Sequence, residues 1–232
     1  MATQLLLLWL WLSCAAVRSA RGEGQLLTDG FAAVELTEAQ FKVQKPYDVP
    51  LADRYESRRR RPPDVGLRHR QAHQLRPPRR PPLRDQDRGK LFLTKSSHTI
   101  DCLIYSSGVW QFEGYGYVPA GTSGASVMQV FGAAEHATTL MLHVYDGRLT
   151  YYHDDARVVD GDVYDRWFRL NVIHDVAASN VTVFVDGEHR LTAPGRGGDA
   201  HYFKFGVYGQ SKNNPSYRME SRWRDVKVFT KC

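Results

Sequence analysis

The sequence predicts an all-β domain, an antiparallel sandwich or barrel, and three observations carry that prediction. Strand-like runs of apolar and β-branched residues recur from Val109 onward, with Gly, Asn and Asp between them. Asp146-Gly147 and Asp186-Gly187 mark tight hairpins, where glycine takes positive φ without a Cβ penalty. No long stretch shows helical periodicity. Many short strands at this spacing read as a sandwich or barrel.

The strands are expected in order near Val109–Tyr117, Ala125–Phe131, Thr138–Tyr145, Arg148–His153, Arg166–His174, Asn180–Val185, Tyr202–Tyr208 and Ser221–Phe229. Side chains alternate across a strand, so each run divides into two faces. Phe203, Phe205 and Val207 share one face, and Tyr202, Lys204, Tyr208 and Gln210 share the other. Met128 and Val130 alternate with Gln129 and Phe131, and Leu140, Leu142 and Val144 with Met141, His143 and Tyr145. Phe168, Leu170 and Val172 oppose Trp167, Arg169, Asn171 and Ile173. An apolar back and a polar-aromatic front is the layout of a groove for a polar ligand.

The N-terminus reads as a secretory leader over residues 1–22. Leu5–Leu12 is an apolar run too short to span a bilayer, followed by small residues at Ser13, Cys14, Ala15 and Ala16. The expected product is secreted or vacuolar, with no membrane span. Cys102 and Cys232 remain after cleavage, and an oxidising compartment permits their pairing. Asn180-Val181-Thr182 is a glycosylation sequon.

The formal net charge is +6. Residues 54–90 hold thirteen Arg or Lys against four Asp or Glu, so the remainder of the chain is net acidic. Arg58 through Pro82 has almost no aromatic or β-branched residues and several proline pairs, a composition that cannot offset its conformational entropy by burial. The expected organisation is a leader over 1–22 and a domain divided between 23–56 and 105–232. A disordered or aberrant Arg/Pro-rich segment over 57–104 separates the two parts. A genuine linker and a shifted reading frame both account for that segment, and the transcript between Tyr55 and Tyr105 separates the two. Polyanion association through residues 58–90 would show a steep salt dependence; a solvated linker is the plainer account, and no nucleic-acid partner is expected.

Anchors from end to end carry a family resemblance. They include Thr28-Asp29-Gly30-Phe31, Gln44-Lys45-Pro46-Tyr47-Asp48-Val49-Pro50 and Tyr105–Tyr117. Met128-Gln129-Val130-Phe131-Gly132, Tyr164–Asn171, Pro194–Gly198 and Tyr202–Gln210 complete the series. In this order they resemble the plant citrate-binding proteins and, through them, the family-seven polysaccharide lyases, which are alginate lyases. The resemblance implies a concanavalin A-like β-jelly roll, a ligand on its concave face, no cofactor and no metal. It also implies an organic polyacid such as citrate, or an acidic polysaccharide, as partner, with a monomer as the expected state.

Cleavage of a uronate by β-elimination requires a neutralised carboxylate, a base for the C5 proton and an acid for the leaving oxygen. The resemblance assigns Gln129 to the carboxylate and Tyr208 to proton transfer, as the catalytic residues if the chain is a lyase. The lyase pattern Gln-Ile/Val-His reads Gln129-Val130-Phe131 here, and a phenyl ring neither takes nor donates a proton. The arginine of a strand motif of the Arg-Thr-Glu-Ile-Arg type has no counterpart. The expected role is therefore binding without cleavage, through Gln129, Arg169, Tyr202, Lys204, Tyr208 and Gln210. Tyr151-Tyr152-His153-Asp154-Asp155 reads as a turn rather than a metal site, and His143 and His174 read as structural histidines.

Overall fold

The protein is described by a computed structural model. It covers residues 27–37, 40–43, 50, 55–58, 91–94, 97–100, 103–135, 138–210, 216 and 219–231. Residues 1–22, expected as a leader, together with Cys102, Cys232, the anchor over 44–49 and the Arg/Pro-rich residues 59–90, lie outside the described residues.

Strands β1 (Ala32–Val34), β2 (Phe41–Val43), β3 (Tyr55–Arg58), β4 (Leu91–Thr94) and β5 (Ser97–Ile100) precede the first long strand, β6 (Val109–Tyr117). β7 (Ala125–Phe131), β8 (Thr138–Tyr145), β9 (Arg148–Tyr151), β10 (Asp154–Asp160) and β11 (Trp167–Asp175) follow. β12 (Asn180–Val185), β13 (Glu188–Pro194), β14 (Tyr202–Gln210) and β15 (Ser221–Lys231) complete the series. They form two antiparallel sheets. One runs β13-β12-β11-β6-β15-β4-β3, with β1 also paired to β15; the other runs β10-β9-β8-β7-β14-β5-β2. The fold is the expected all-β sandwich of jelly-roll type. The turns fall where Asp-Gly placed them: Asp146 (φ 48°) and Asp186 (φ 55°) share the left-handed region with the glycines that follow them.

The core lies between the sheets. Phe112, Phe168, Trp223 and Val228 enter from the eight-stranded sheet, and Met128, Leu140, Leu142, Phe203 and Phe205 from the seven-stranded one; all are at most 1% exposed. The Trp223 ring centroid is 5.6 Å from that of Phe205 and 5.8 Å from that of Phe112, so aromatic edges join the two layers. Gly116 makes room for them: a Cβ there would lie 2.8 Å from the Phe168 ring. The alternation expected in β7, β8, β11 and β14 thus sends its apolar members inward.

One boundary is corrected. β4 and β5 lie inside the segment 57–104 that composition set apart, and β4 pairs with β15 while β5 pairs with β14. Leu91-Phe92-Leu93-Thr94 and Ser97-His98-Thr99-Ile100 are rich in β-prone residues. Averaging them with the neighbouring Arg/Pro run hid that preference.

Candidate functional site on the seven-stranded sheet

The outer face of the seven-stranded sheet is built by β7, β8 and β14. Directly opposed residues of antiparallel strands share a face. Pairing places Met141, Gln129, Lys204, Thr99 and Lys42 in one line across β8, β7, β14, β5 and β2. A second line runs Thr150, His143, Ser126 and Tyr208. Ser126 and Gln129 are three residues apart yet point the same way, because a register shift between Ser126 and Met128 inserts Val127 as an extra residue.

Lys204 is the cation of this face. It is 5% exposed, and its Nζ lies 4.3 Å from the Phe131 ring centroid, 5.2 Å from Tyr208 and 5.5 Å from Tyr202. Phe131 and Tyr202 are themselves 4.9 Å apart, centroid to centroid, and form one wall. Among the described residues no carboxylate lies within ion-pair distance of Lys204, and burial alone pulls its ammonium below the usual lysine range. Ring quadrupoles offset part of the lost hydration but supply no formal counter-charge.

Gln129 is 1% exposed beside it. The Ser126 hydroxyl donates to the Met128 carbonyl at 3.4 Å, and Gln129 Nε2 donates to Ser126 Oγ at 3.3 Å. That chain orients the amide and leaves Gln129 Oε1 buried without a partner. On β8, His143 is 3% exposed, and its Nδ1 lies 3.0 Å from the Tyr145 hydroxyl, which also contacts His153 Nδ1. Burial, then the neighbouring His153, pulls the His143 imidazole down to about 4. Its Nε2 is buried and unpartnered, as is Thr139 Oγ1. Among the described residues no three His, Cys, Asp or Glu side chains cluster to hold a metal ion.

The alginate lyase family model matches residues 86–230. A citrate-binding protein from Hevea brasiliensis is 43% identical over 202 residues, covering 87% of this chain and 78% of its own. The chain belongs to the alginate lyase family. Among solved structures, the polysaccharide lyase family 7 alginate lyase AlgAT5 is similar with a TM-score of 0.49 at 13% identity, covering 63% of this chain and 80% of its own. The alginate lyase from Corynebacterium sp. gives 0.49 at 12% identity, over 62% and 78%. The start of the family match at residue 86 agrees with the placement of β4 and β5 within the domain.

Of the residues expected in the site, the structure brings Gln129, Tyr202, Lys204 and Tyr208 together on one face. Tyr208 is the exposed member, at 43%. Gln210 ends β14 opposite Ala125, and its side chain lies outside the described residues. Arg169 does not belong with them. It is on β11 in the other sheet, opposite Tyr115, and Phe168 and Leu170 on either side of it fill the core. Its side chain therefore leaves the sandwich on the side opposite Gln129, with Nη2 close against Gly187. Asn180 is half-buried at the start of β12. Tyr152 and His153 form the turn between β9 and β10, as expected of that motif. His174 is 2% exposed and bonds the Tyr105 hydroxyl through Nδ1 at 2.9 Å, away from this site.

Sequence reasoning missed Ser126 and Lys42 and treated His143 as structural. Ser126 is hidden by the bulge, and Lys42 enters only through the pairing of β2 with β5. Strand β5 reads Ser97-His98-Thr99-Ile100 and supplies no arginine next to β14. Phe131, where the family pattern has histidine, is a wall around the Lys204 ammonium rather than a proton acceptor.

Proposed function

We propose that this chain binds an acidic ligand, an organic polyacid such as citrate or an acidic saccharide, on the outer face of the seven-stranded sheet, and does not cleave it. Lys204 carries the reading: a buried ammonium with aromatic walls and no carboxylate among the described residues. A buried charge without a counter-charge is costly, and an anionic ligand relieves that cost. Gln129, Tyr202 and Tyr208 surround the position and supply directional contacts. The citrate-binding name of the Hevea relative supports the same class of ligand. The leader-like N-terminus makes secretion or vacuolar delivery part of the proposal.

Titration calorimetry with citrate and with oligouronates tests it. Saturable heat from at least one, lost in Lys204→Met, is the expected result; no heat from any acidic ligand removes the reading.

His143 favours a second reading, polysaccharide lysis by β-elimination. It places an imidazole on the same face as Tyr208, with Ser126 between them. Elimination forms an unsaturated uronate that absorbs in the near ultraviolet. A rising absorbance on alginate supports lysis, and a flat trace across uronate polymers rejects it.

A further inference from the structure

We infer that the site reads a hydroxyl group beside a carboxylate, so that its ligands are hydroxycarboxylates rather than carboxylates in general; this rests on the binding role proposed above. The decisive feature is the direction of a hydrogen-bond chain. Because the Ser126 proton is committed to the Met128 carbonyl, Ser126 Oγ accepts from the Gln129 amide, and the amide is thereby oriented. What Gln129 turns away from Ser126 is Oε1, an acceptor, buried and without a partner. A carboxylate also only accepts, so it cannot satisfy that oxygen. A ligand O–H can.

Lys204 and Gln129 are direct partners across β14 and β7. Directly opposed Cβ atoms lie about 4.5–5.5 Å apart. From such neighbouring positions a cation and an acceptor reach the same patch, as recognition of a carboxylate and a hydroxyl carried on the same or adjacent carbons requires. Thr139 Oγ1 and His143 Nε2 are the other unpartnered buried side-chain atoms described on this face. A polyhydroxy ligand such as a uronate has further hydroxyls to offer them. On the opposite sheet Asn171 Nδ2 donates to Glu113 Oε2 at 3.0 Å, while Asn171 Oδ1 and the Gln111 amide are also buried without a partner; what sets Gln129 apart is the buried lysine directly opposite it.

The test compares citrate with tricarballylate, which has the same three carboxylates and lacks the hydroxyl. Calorimetry on the full chain is expected to show citrate bound at least about tenfold more tightly, the worth of one well-made hydrogen bond to a buried acceptor. In Gln129→Met the advantage of citrate is expected to disappear, the two ligands binding within about twofold of each other. Equal affinity of the unaltered protein for both overturns the inference and leaves the binding role standing. Absence of binding by both, and by an oligouronate, overturns the binding role and the inference together. The pair of ligands on the unaltered protein decides the matter even if the variant does not fold.

Discussion

The two outer faces of the sandwich carry similar side chains and use them differently. On the eight-stranded sheet, cations and aromatics are interleaved with carboxylates. Lys227 Nζ donates to Glu113 Oε1 at 3.2 Å, and Arg222, stacked on Tyr117, donates to Glu220 at 2.9 Å. On the seven-stranded sheet, Lys204 meets three rings and no described carboxylate. A cation satisfied within the fold is structure. A buried cation left unsatisfied is a place for an external anion. Under the proposed function, the same residue types divide into scaffold and site according to whether a described carboxylate meets the cation.

The strongest test of that contrast is Lys204→Met. Losing a charge-assisted contact of roughly 2–3 kcal/mol lowers acidic-ligand affinity by about 30- to 150-fold. Thermal stability stays level or rises, because the uncompensated charge no longer has to be buried. A fall in stability with unchanged affinity would erase the distinction between the faces. A comparable effect is expected from pH. His143 and His174 are both held neutral, each pulled down to about 4, mainly by burial. Their folded values lie below the unfolded value of about 6.5. Their stabilising contribution is therefore complete above pH 6.5 and is lost as pH falls toward 4, by on the order of 2–3 kcal/mol each. Denaturant midpoints across that window check it, and His174→Gln should flatten the slope. Only His143→Gln should also change ligand affinity.

A smaller effect is expected from Lys227→Met. Removing the partner of Glu113 costs about 1 kcal/mol of stability, read as a melting shift, while ligand affinity does not move. The mildest prediction concerns the cation's walls. Phe131→Leu removes one ring from Lys204 and lowers the stability of the ligand-free protein by about 0.5–1 kcal/mol, the worth of one cation–π contact, read as a melting shift. No change there would mean the ring only fills space.

Much of this arrangement was legible in the chain. Alternation in Tyr202–Gln210 and Ala125–Phe131 assigned Phe203, Phe205, Met128 and Val130 to the core, and Lys204 and Gln129 to the opposite face. Arg169 shows where alternation stops. Its strand was divided into faces correctly, but a face says nothing about which of two sheets the strand joins. Ser126 fails for another reason: parity puts it with the core, and only the bulge at Val127 turns it outward. The strands β4 and β5 were hidden because short β-prone runs were weighed together with an Arg/Pro stretch.

The chain by itself determined the class of fold, the inward-facing residues and the hairpin turns, since these follow from local periodicity and from the φ preferences of Asp-Gly. It also determined that Phe131 offers no proton-transfer group. Only the tertiary structure decided that Lys204 stands beside Gln129 without a described carboxylate, that Ser126 orients that amide, and that His143 and Lys42 share the face. Those relations depend on strand register and sheet membership, which are set by packing between segments distant in the chain.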